Sequence, residues 1–229
     1  MAEQVPIVLS QFAFVSLTDA CWSLDAPARR ARLESWLAAV RGAAEATFVY
    51  QVFPMDVRSD FLVWSSVRAE LPDVPARFFD AFARATTPHR AFLRVHDTRW
   101  GFTRPSQYTK TRSTQEMDPF APGRATYLTI YPFTKTSEWY QLSREVRRDM
   151  MGEHIKVGTQ YKSIRQLLLY STGLQDQEFV VVYEMEDLKE FSALVGDLRA
   201  TKARPFTLSD APLRAAVLRD GTDELAPWL

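Results

Sequence analysis

Residues 163–186 read SIRQLLLYSTGLQDQEFVVVYEME, two apolar segments on either side of a turn that contains Gly173. Both segments are rich in the aliphatic and aromatic residues that favour strands. The interruption TGLQDQ supplies a glycine and polar side chains, which are typical of a turn. The stretch therefore predicts two neighbouring strands, at 163–171 and 178–186.

Helical patterns lie on both sides of this pair of strands. Residues 143–161 have helical spacing, and one face of that helix would carry Val146, Met150, His154 and Val157. Residues 188–202 predict a second helix, followed by a short last strand in RPFTLSD. Before the first helix, ATYLTIYPF (125–133) predicts a strand that Pro132 would close. The order of elements is β-α-β-β-α-β.

The first half of the chain shows the same order of elements. Strands are predicted at 6–17, 46–54, 60–68 and 90–100, and helices at 26–44 and 72–85. A polar stretch with three prolines, residues 101–124, separates the two halves. We therefore divide the chain into a first module at 1–104, a linker at 105–123 and a second module at 124–229.

Two β-α-β-β-α-β units in one chain predict an α+β fold built from two ferredoxin-like modules. Each module has an antiparallel sheet with helices on one face and nothing on the other. An open sheet face must be buried, and the other half of the chain is the nearest partner. The prediction is a dimeric-type α+β barrel within one chain. Two independent domains on a flexible linker are the alternative.

Composition narrows the classes of partner. The 28 basic and 28 acidic residues give a net charge of zero, without the basic excess of nucleic-acid-binding proteins. A single cysteine, Cys21, excludes an internal disulfide and a Cys-rich zinc site. No apolar run reaches the roughly 20 residues of a membrane span, and the N-terminus lacks the pattern of a signal peptide. We expect a cytoplasmic protein that binds no nucleic acid and does not span a membrane.

Histidine is scarce, which limits the kinds of metal site. Only His89, His96 and His154 are present, so a metal would rest on one imidazole or on carboxylates. His154 lies on the predicted apolar face of the helix at 143–161. One interpretation is a core histidine whose nitrogens are hydrogen-bonded. The other is the single axial ligand of a haem iron, because the porphyrin supplies four other donors.

Three further residues have both a structural and a chemical interpretation. Strand alternation places Gln166 among apolar residues, where its amide needs a hydrogen-bond partner in the protein or a ligand. Tyr131 and Lys135, in YPFTK, are either a core aromatic and a solvated charge, or an oxidisable phenol and an ammonium that pairs with a carboxylate. The basic group Arg144, Arg147 and Arg148 is interpreted as the solvated face of a helix.

The segment from Tyr131 to Thr207 resembles the chlorite dismutase superfamily, and RRDMMGEH and STGLQDQEF carry the resemblance. This superfamily comprises ferredoxin-like haem proteins and includes the coproheme decarboxylases. The resemblance covers nearly the whole C-terminal half, while the N-terminal half matches in element order only. It implies that His154 is the proximal ligand of a haem iron and that the first module binds no haem.

Two positions separate the branches of this superfamily. Gln166 stands where chlorite-decomposing members carry an arginine, and Ala203 stands where they carry a glutamate that holds the proximal histidine. Tyr131 and Lys135 match a decarboxylase pattern in which the tyrosine is redox-active and the lysine lies near the propionates. Arg204 replaces a serine that often binds a propionate. These positions favour the decarboxylase branch.

The resemblance implies oxidative decarboxylation of iron coproporphyrin III (coproheme), which is both substrate and redox cofactor. Hydrogen peroxide is the expected co-substrate, and conversion of two propionates to vinyl groups gives haem b. Tyr131, Lys135 and Gln166 are the expected catalytic residues, and Lys135, Arg199 and Arg204 are expected to bind propionates. The resemblance also implies a homo-oligomer, commonly a homopentamer, and a ferrochelatase acting upstream.

Several alternatives remain at the level of sequence. One is a haem peroxidase or a weak chlorite-decomposing enzyme, for which Arg165 would have to replace the missing arginine. Strand alternation places Arg165 on the face opposite Gln166, which argues against this reading. A second alternative is a non-catalytic haem-binding protein on the same fold, and a third is a fold that has lost haem.

Overall fold

The computed structural model describes residues 6–105, 108, 113–220 and 223–229. The strands are β1 (Val8–Leu17), β2 (Ala46–Gln51), β3 (Phe61–Arg68), β4 (Leu93–Phe102), β5 (Tyr127–Lys135), β6 (Arg165–Tyr170), β7 (Phe179–Met185), β8 (Thr207–Ser209) and β9 (Arg214–Arg219). The α-helices are α1 (Asp19–Trp22), α2 (Ala26–Gly42), α3 (Val74–Thr86), α4 (Ser137–Gln141), α5 (Arg144–Gly158) and α6 (Leu188–Arg199). None of the helices described is both long and apolar enough to cross a membrane.

The sheet order shows the duplication directly. The first half is ordered β4-β1-β3-β2 and the second half β9-β5-β7-β6, the same arrangement twice. The halves join at two seams, where β4 meets β6 and β2 meets β9. Eight strands thereby close into a barrel, so the predicted α+β barrel of two ferredoxin-like modules is confirmed. A pair of independent domains is excluded, since the halves share one sheet.

The sheets of both modules each contribute one face to the interior of the barrel. Strand alternation sends every second side chain inward, and both halves contribute large apolar groups. These buried residues include Phe12, Phe14, Tyr50, Leu62, Trp64, Leu128, Ile130, Leu167, Leu169, Val180 and Val182. Full burial of one such aliphatic or aromatic side chain stabilises the fold by about 1.5–3 kcal/mol.

The outer faces of the two halves are covered differently. In the first half, helices α2 and α3 close over the sheet and bury large side chains such as Trp36 and Phe78. In the second half, α6 buries Phe191 and Leu194 against the sheet. Helix α5, which connects β5 to β6, has no buried residue. The outer face of the sheet in the second module is therefore only loosely covered beneath α5.

Pro132 does not end its strand, contrary to prediction. It lies inside β5, is buried, and pairs with Val180 of β7. On the other edge of β5, the pairing with β9 ends at Ile130 and the pairing with β8 begins at Thr134. Proline has no N–H to donate, and it occupies the gap between these two partner strands.

The last strand of the second module is not the one predicted. RPFTLSD contributes only β8, which pairs with the end of β5. The fourth strand of the module is β9, which lies beyond the last predicted strand. It lies between β5 and β2 and so completes one of the two seams.

The end of the segment at 105–123 takes part in the barrel. The backbone N–H of Gln166 in β6 donates a hydrogen bond to the Gln115 carbonyl oxygen, and the Met117 N–H donates one to the Gln166 carbonyl oxygen. Both bonds are 2.8 Å long. The side chain of Met117 is 1% exposed and belongs to the barrel interior. This part of the segment extends the edge of β6 beyond its single register pair with β4, Phe102 and Tyr170.

Gly101 marks the seam between β4 and β6. A Cβ atom there would lie 2.6 Å from both Ser171 Oγ and the Tyr170 carbonyl oxygen. Because one of these atoms is backbone, we expect Gly101→Ala to lower the free energy of unfolding by about 1–3 kcal/mol, as overpacking does. Urea unfolding followed by circular dichroism measures this. Gly123→Ala is the control, since nothing lies within 4 Å of its Cβ position, and equal losses in both variants would contradict the prediction.

Candidate functional site

Helix α5 turns a mixed face toward the second module. Arg147, Met150, Met151 and His154 are partly buried, as spacings of three and four residues along a helix require. Val146, predicted to share the apolar face, is 39% exposed. Arg147, predicted to be solvated, instead has its Nε shielded from solvent and without a hydrogen-bond partner in the described part of the chain. The face that carries His154 therefore keeps Met150 and Val157 of the predicted set and gains Arg147 and Met151 in place of Val146.

His154 has the properties of a neutral, uncommitted imidazole. Its Nδ1 is shielded from solvent and has no hydrogen-bond partner among the residues described. Burial and, to a smaller extent, the positive charge of Lys135 together lower the pKa of His154 to about 4. The preceding residue anchors the helix, because Glu153 Oε2 accepts a 2.9 Å hydrogen bond from the Lys202 amide. At neutral pH the ring is uncharged and able to donate a lone pair.

Lys135 lies at the end of β5 in a largely apolar setting. Its Nζ is 4.2 Å from the centroid of the Trp139 ring and 3.4 Å from the Ala203 carbonyl oxygen. Its backbone N–H donates a 2.8 Å hydrogen bond to Glu178 Oε2. Burial lowers the pKa of Lys135 to about 8, and Arg204 acts in the same direction while Glu178 opposes it. The ammonium remains the main form at neutral pH.

Arg199 and Arg204 share one carboxylate, that of Asp210. Arg204 Nη1 lies 2.5 Å from Asp210 Oδ2, and Arg199 Nη2 lies 3.9 Å from the same oxygen. The side chain of Arg199 is 59% exposed and that of Arg204 is 35% exposed. Both arginines therefore retain solvent-facing donors for an anion beside this pair.

Tyr131 lies in the middle of β5 with its side chain on the outer face. Its ring stacks on that of Tyr183, with centroids 6.4 Å apart and planes at 23°. Burial raises the pKa of Tyr131 well above its usual value, and the hydrogen bond to Tyr183 and the charge of Asp210 act in the same direction. The charge of Arg199 opposes them. Tyr131 therefore stays a neutral phenol and is close enough to the Arg199–Asp210 pair to sense both charges.

Gln166 lies on the outer face of β6 and shares this face with Leu168, as strand alternation predicts. Its amide side chain is exposed, as is Leu168 on the same face, whereas Leu167 and Leu169 point into the barrel. Its main chain is fixed by the hydrogen bonds to residues 115 and 117. Across the sheet it is the register partner of Tyr183.

Five of the six predicted site residues lie on β5 or close to its C-terminal half, namely Tyr131, Lys135, His154, Arg199 and Arg204. The electrostatic couplings link His154 to Lys135, Lys135 to Arg204, and Tyr131 to Arg199. Gln166 is separated from this group by Tyr183. Tyr183 is the register partner of Gln166 on one side and stacks on the Tyr131 ring on the other. The structure thus places an imidazole, a phenol, an amide and three cations on one outer face of the second module.

Sequence reasoning missed three residues of this region, Glu178, Tyr183 and Asp210. Glu178 lies within the motif STGLQDQEF, so the family resemblance could have identified it as a residue of this region. Tyr183 follows the alternation of β7 and could have been placed on the outer face with Tyr131. Asp210 lies in a loop after β8 and carried no signal.

The residues of this face fit a haem group. Among the described residues no three His, Cys, Asp or Glu side chains come together as a metal site. His154 could therefore hold iron only if most of the other ligands came with the metal, as in a porphyrin. Helix α5 buries none of its residues, and Leu168 is 41% exposed on the sheet. A flat apolar group with acidic substituents would cover these surfaces and meet the three cations.

Comparison with known proteins gives the same family throughout. The model of the chlorite dismutase family matches residues 29–218. A coproheme decarboxylase of Mycolicibacterium smegmatis is 30% identical over 167 residues, which cover 72% of this chain and 69% of that protein.

Solved structures of the same family share the fold. TA0507, provisionally named a chlorite dismutase, superimposes with a TM-score of 0.80 at 24% identity, over 98% of this chain and 100% of that chain. Chlorite dismutase from Candidatus Nitrospira defluvii, in complex with imidazole, gives a TM-score of 0.75 at 22% identity, over 93% of this chain and 91% of that chain. The family model spans well over half of the sequence, and the chain belongs to the chlorite dismutase family of haem-dependent enzymes.

Proposed function

We propose that the protein is a coproheme decarboxylase that converts two propionates of iron coproporphyrin III into vinyl groups and uses hydrogen peroxide as oxidant. The observation that carries the proposal is the position of the Tyr131 phenol beside a group of cations, on the face that also holds His154. The relative from Mycolicibacterium smegmatis, named a coproheme decarboxylase, supports the same reaction.

The reaction needs a group that takes a hydrogen atom from the β-carbon of a propionate. Bound coproheme, once oxidised by peroxide, supplies one-electron oxidation. Tyr131 is the group in this chain suited to that role, because a neutral buried phenol loses a proton together with an electron. Per propionate, one peroxide and one proton are consumed, and one carbon dioxide and two water molecules are released.

The cations of the site suit a substrate with four carboxylates. Lys135 is a partly buried ammonium, and Arg199 and Arg204 keep solvent-facing donors beside Asp210. Charge-assisted hydrogen bonds from such groups are about twice as strong as neutral ones. We infer that Lys135 and the two arginines hold propionates and that their geometry fixes which propionate meets Tyr131.

His154 is proposed as the axial ligand of the iron, and the second module, 124–229, as the haem-binding unit. Gln166 is proposed to offer its exposed amide to a bound oxidant. The first module, 1–104, is proposed to bind no haem, because α2 and α3 fill the corresponding outer face with Trp36, Phe78 and their neighbours.

A chlorite-decomposing activity is the competing reading, since several similar solved structures are chlorite dismutases. That chemistry would need a cation on the outer face near position 166. Arg165 points the other way and pairs with the buried Glu184, with Nη2 2.9 Å from Oε2. This supports the decarboxylase reading over the chlorite reading.

The proposed reaction is tested by mixing the protein with iron coproporphyrin III, adding peroxide stepwise, and following the porphyrin by mass spectrometry. The expected result is successive loss of two carboxyl groups, with haem b as the final product. Binding followed only by bleaching would refute the proposal in favour of a haem-binding protein or a peroxidase. Oxygen release from chlorite without decarboxylation would favour the chlorite reading.

Substitution of the proposed iron ligand gives a second prediction. We expect His154→Ala to weaken binding of iron coproporphyrin III by about tenfold or more, equivalent to ~1.4 kcal/mol or more, and to remove the absorption bands of histidine-bound iron. Added imidazole should restore those bands. His96→Ala is the matched control, because His96 hydrogen-bonds to Ser59 at 3.0 Å, in the first module. Unchanged bands in His154→Ala would contradict the assignment.

The surroundings of the enzyme are also part of the proposal. We propose a cytoplasmic location, and the family resemblance supports a homo-oligomer such as a homopentamer and delivery of coproheme by an upstream ferrochelatase. Sedimentation velocity of the purified chain, with and without porphyrin, measures the oligomeric state.

A further inference from the structure

Tyr183 is the phenol that directly accompanies Tyr131. The two rings stack at a centroid distance of 6.4 Å, and after burial Tyr183 is the largest cause of the raised pKa of Tyr131. Their strands, β5 and β7, are hydrogen-bonded neighbours, which fixes the relative position of the two rings. The pairing of β5 with β7 therefore holds the two tyrosines next to each other.

The surroundings of Tyr183 are apolar and closed. Its side chain is 6% exposed, and its ring contacts Phe191 of α6 with centroids 5.3 Å apart. Ile164, Met185 and Leu194 belong to the same buried cluster. Burial raises the pKa of Tyr183 to about 12, so it remains a neutral phenol. Solvent reductants would reach Tyr183 less easily than a group at the surface.

We propose that Tyr183 is a second redox-active tyrosine, which exchanges a hydrogen atom with the oxidised form of Tyr131. The inference rests on the proposed function, because peroxide and the bound iron porphyrin must first take one electron and one proton from Tyr131. In the exchange, the O–H bond of Tyr183 breaks and the O–H bond of Tyr131 re-forms. One proton and one electron move together between the two oxygens, and no other reactant is consumed.

The arrangement divides two tasks between two similar phenols. Tyr131 lies beside the cations that we propose to hold propionates, while Tyr183 lies between Tyr131 and Gln166 and packs against α6. A tenfold preference between two positions corresponds to only about 1.4 kcal/mol, and two hydrogen-bonded phenols differ mainly by their surroundings. The oxidised state can therefore rest on Tyr183 until a propionate is in place and return to Tyr131 for the reaction.

The test uses haem b, which lacks the two reacting propionates, so that an oxidised tyrosine is not consumed by decarboxylation. The haem-loaded protein is mixed with hydrogen peroxide, frozen within milliseconds to seconds, and measured by electron paramagnetic resonance. Ring-deuterated tyrosine identifies tyrosyl signals by their narrowing. The variants are Tyr183→Phe and Tyr131→Phe, with Tyr127→Phe as the matched control on the same face of β5.

The expected result is a composite tyrosyl signal in the unaltered protein and in Tyr127→Phe. Tyr183→Phe should lose one component and keep the other, and Tyr131→Phe should lose both, because Tyr183 is oxidised only through Tyr131. A Tyr183→Phe spectrum that superimposes on that of the unaltered protein would overturn the inference. So would a Tyr183 signal that persists in Tyr131→Phe, or the absence of any tyrosyl signal.

Failure of the inference is distinguishable from failure of the proposed function. Decarboxylation of coproheme is read separately, from product masses. If Tyr183→Phe still produces haem b and its radical spectrum is unchanged, the reaction stands and Tyr183 only fills the core. If the unaltered protein leaves coproheme intact, the proposed function fails, and the inference built on it fails too.

Discussion

Tyr131→Phe is expected to slow decarboxylation of coproheme by about a thousandfold or more, the scale seen when a residue that carries the chemistry is removed. Phenylalanine keeps the ring but has no O–H bond that can be oxidised with loss of a proton. Binding of coproheme should change little, because the cations Lys135, Arg199 and Arg204 are untouched. The measurement is the rate of product formation by mass spectrometry at saturating peroxide, together with a porphyrin titration.

A matched control is available on the same strand. Tyr127→Phe removes the same atom from another partly buried tyrosine of β5, on the same face as Tyr131 and packed on the same cluster. It should decarboxylate at the rate of the unaltered protein. If Tyr131→Phe were equally active, the oxidised group would have to lie elsewhere and the assignment of Tyr131 would be wrong.

The stability of the variant must be separated from its chemistry. Removing the Tyr131 hydroxyl takes a neighbouring polar group away from the buried Tyr183 phenol, and an unsatisfied buried polar group costs about 1–3 kcal/mol. Urea unfolding of Tyr131→Phe, with and without Tyr183→Phe, measures that cost. A folded but inactive Tyr131→Phe places the defect in the reaction.

Much of the fold was predictable because it rests on local patterns. Alternation and helical spacing identified the strands and helices of both halves, and their repeated order predicted a barrel. Strand β9 was missed because RAAVLR is short and its two strand partners, β2 and β5, are distant in sequence. Pro132 was misread because the gap between two partner strands is not visible from one strand alone.

The candidate site was predictable in its residue types but not in its pairings. His154, Tyr131 and Gln166 were identified from motifs and periodicity. The carboxylates that act on the cations were not, since Glu178 binds the Lys135 backbone from 43 positions away. Asp210 becomes a partner of Arg199 and Arg204 only because the loop after β8 folds back toward them. Contacts of this kind depend on the tertiary fold.

Glu184 is the residue whose replacement should most affect the stability of the barrel. Its carboxylate is wholly buried, lies 3.4 Å from the buried Arg124 and 2.9 Å from Arg165, and accepts a 3.4 Å hydrogen bond from the Tyr50 hydroxyl. Burial raises the pKa of Glu184, and the two arginines oppose that rise. The cluster joins the first half, the segment before β5, and the second half.

We expect Glu184→Leu to lower the free energy of unfolding by about 3–5 kcal/mol, because it leaves the Arg124 charge buried without its counter-ion. Urea unfolding measures the loss. Glu145→Leu, at an exposed position of α5, should change the free energy by no more than about 0.5 kcal/mol. Equal stability of Glu184→Leu and the unaltered protein would show that Arg124 is stabilised by other groups.

The double variant Arg124→Met with Glu184→Leu decides what the buried pair contributes. Replacing both charges with apolar groups removes the uncompensated charge, so most of the lost stability should return. Arg124 also lies 4.8 Å from the ring of Phe48 and 5.0 Å from that of Trp64. Loss of these cation–π contacts should leave a deficit of about 0.5–2 kcal/mol. A double variant as unstable as Glu184→Leu would mean that the carboxylate, rather than an unpaired guanidinium, holds the two halves together.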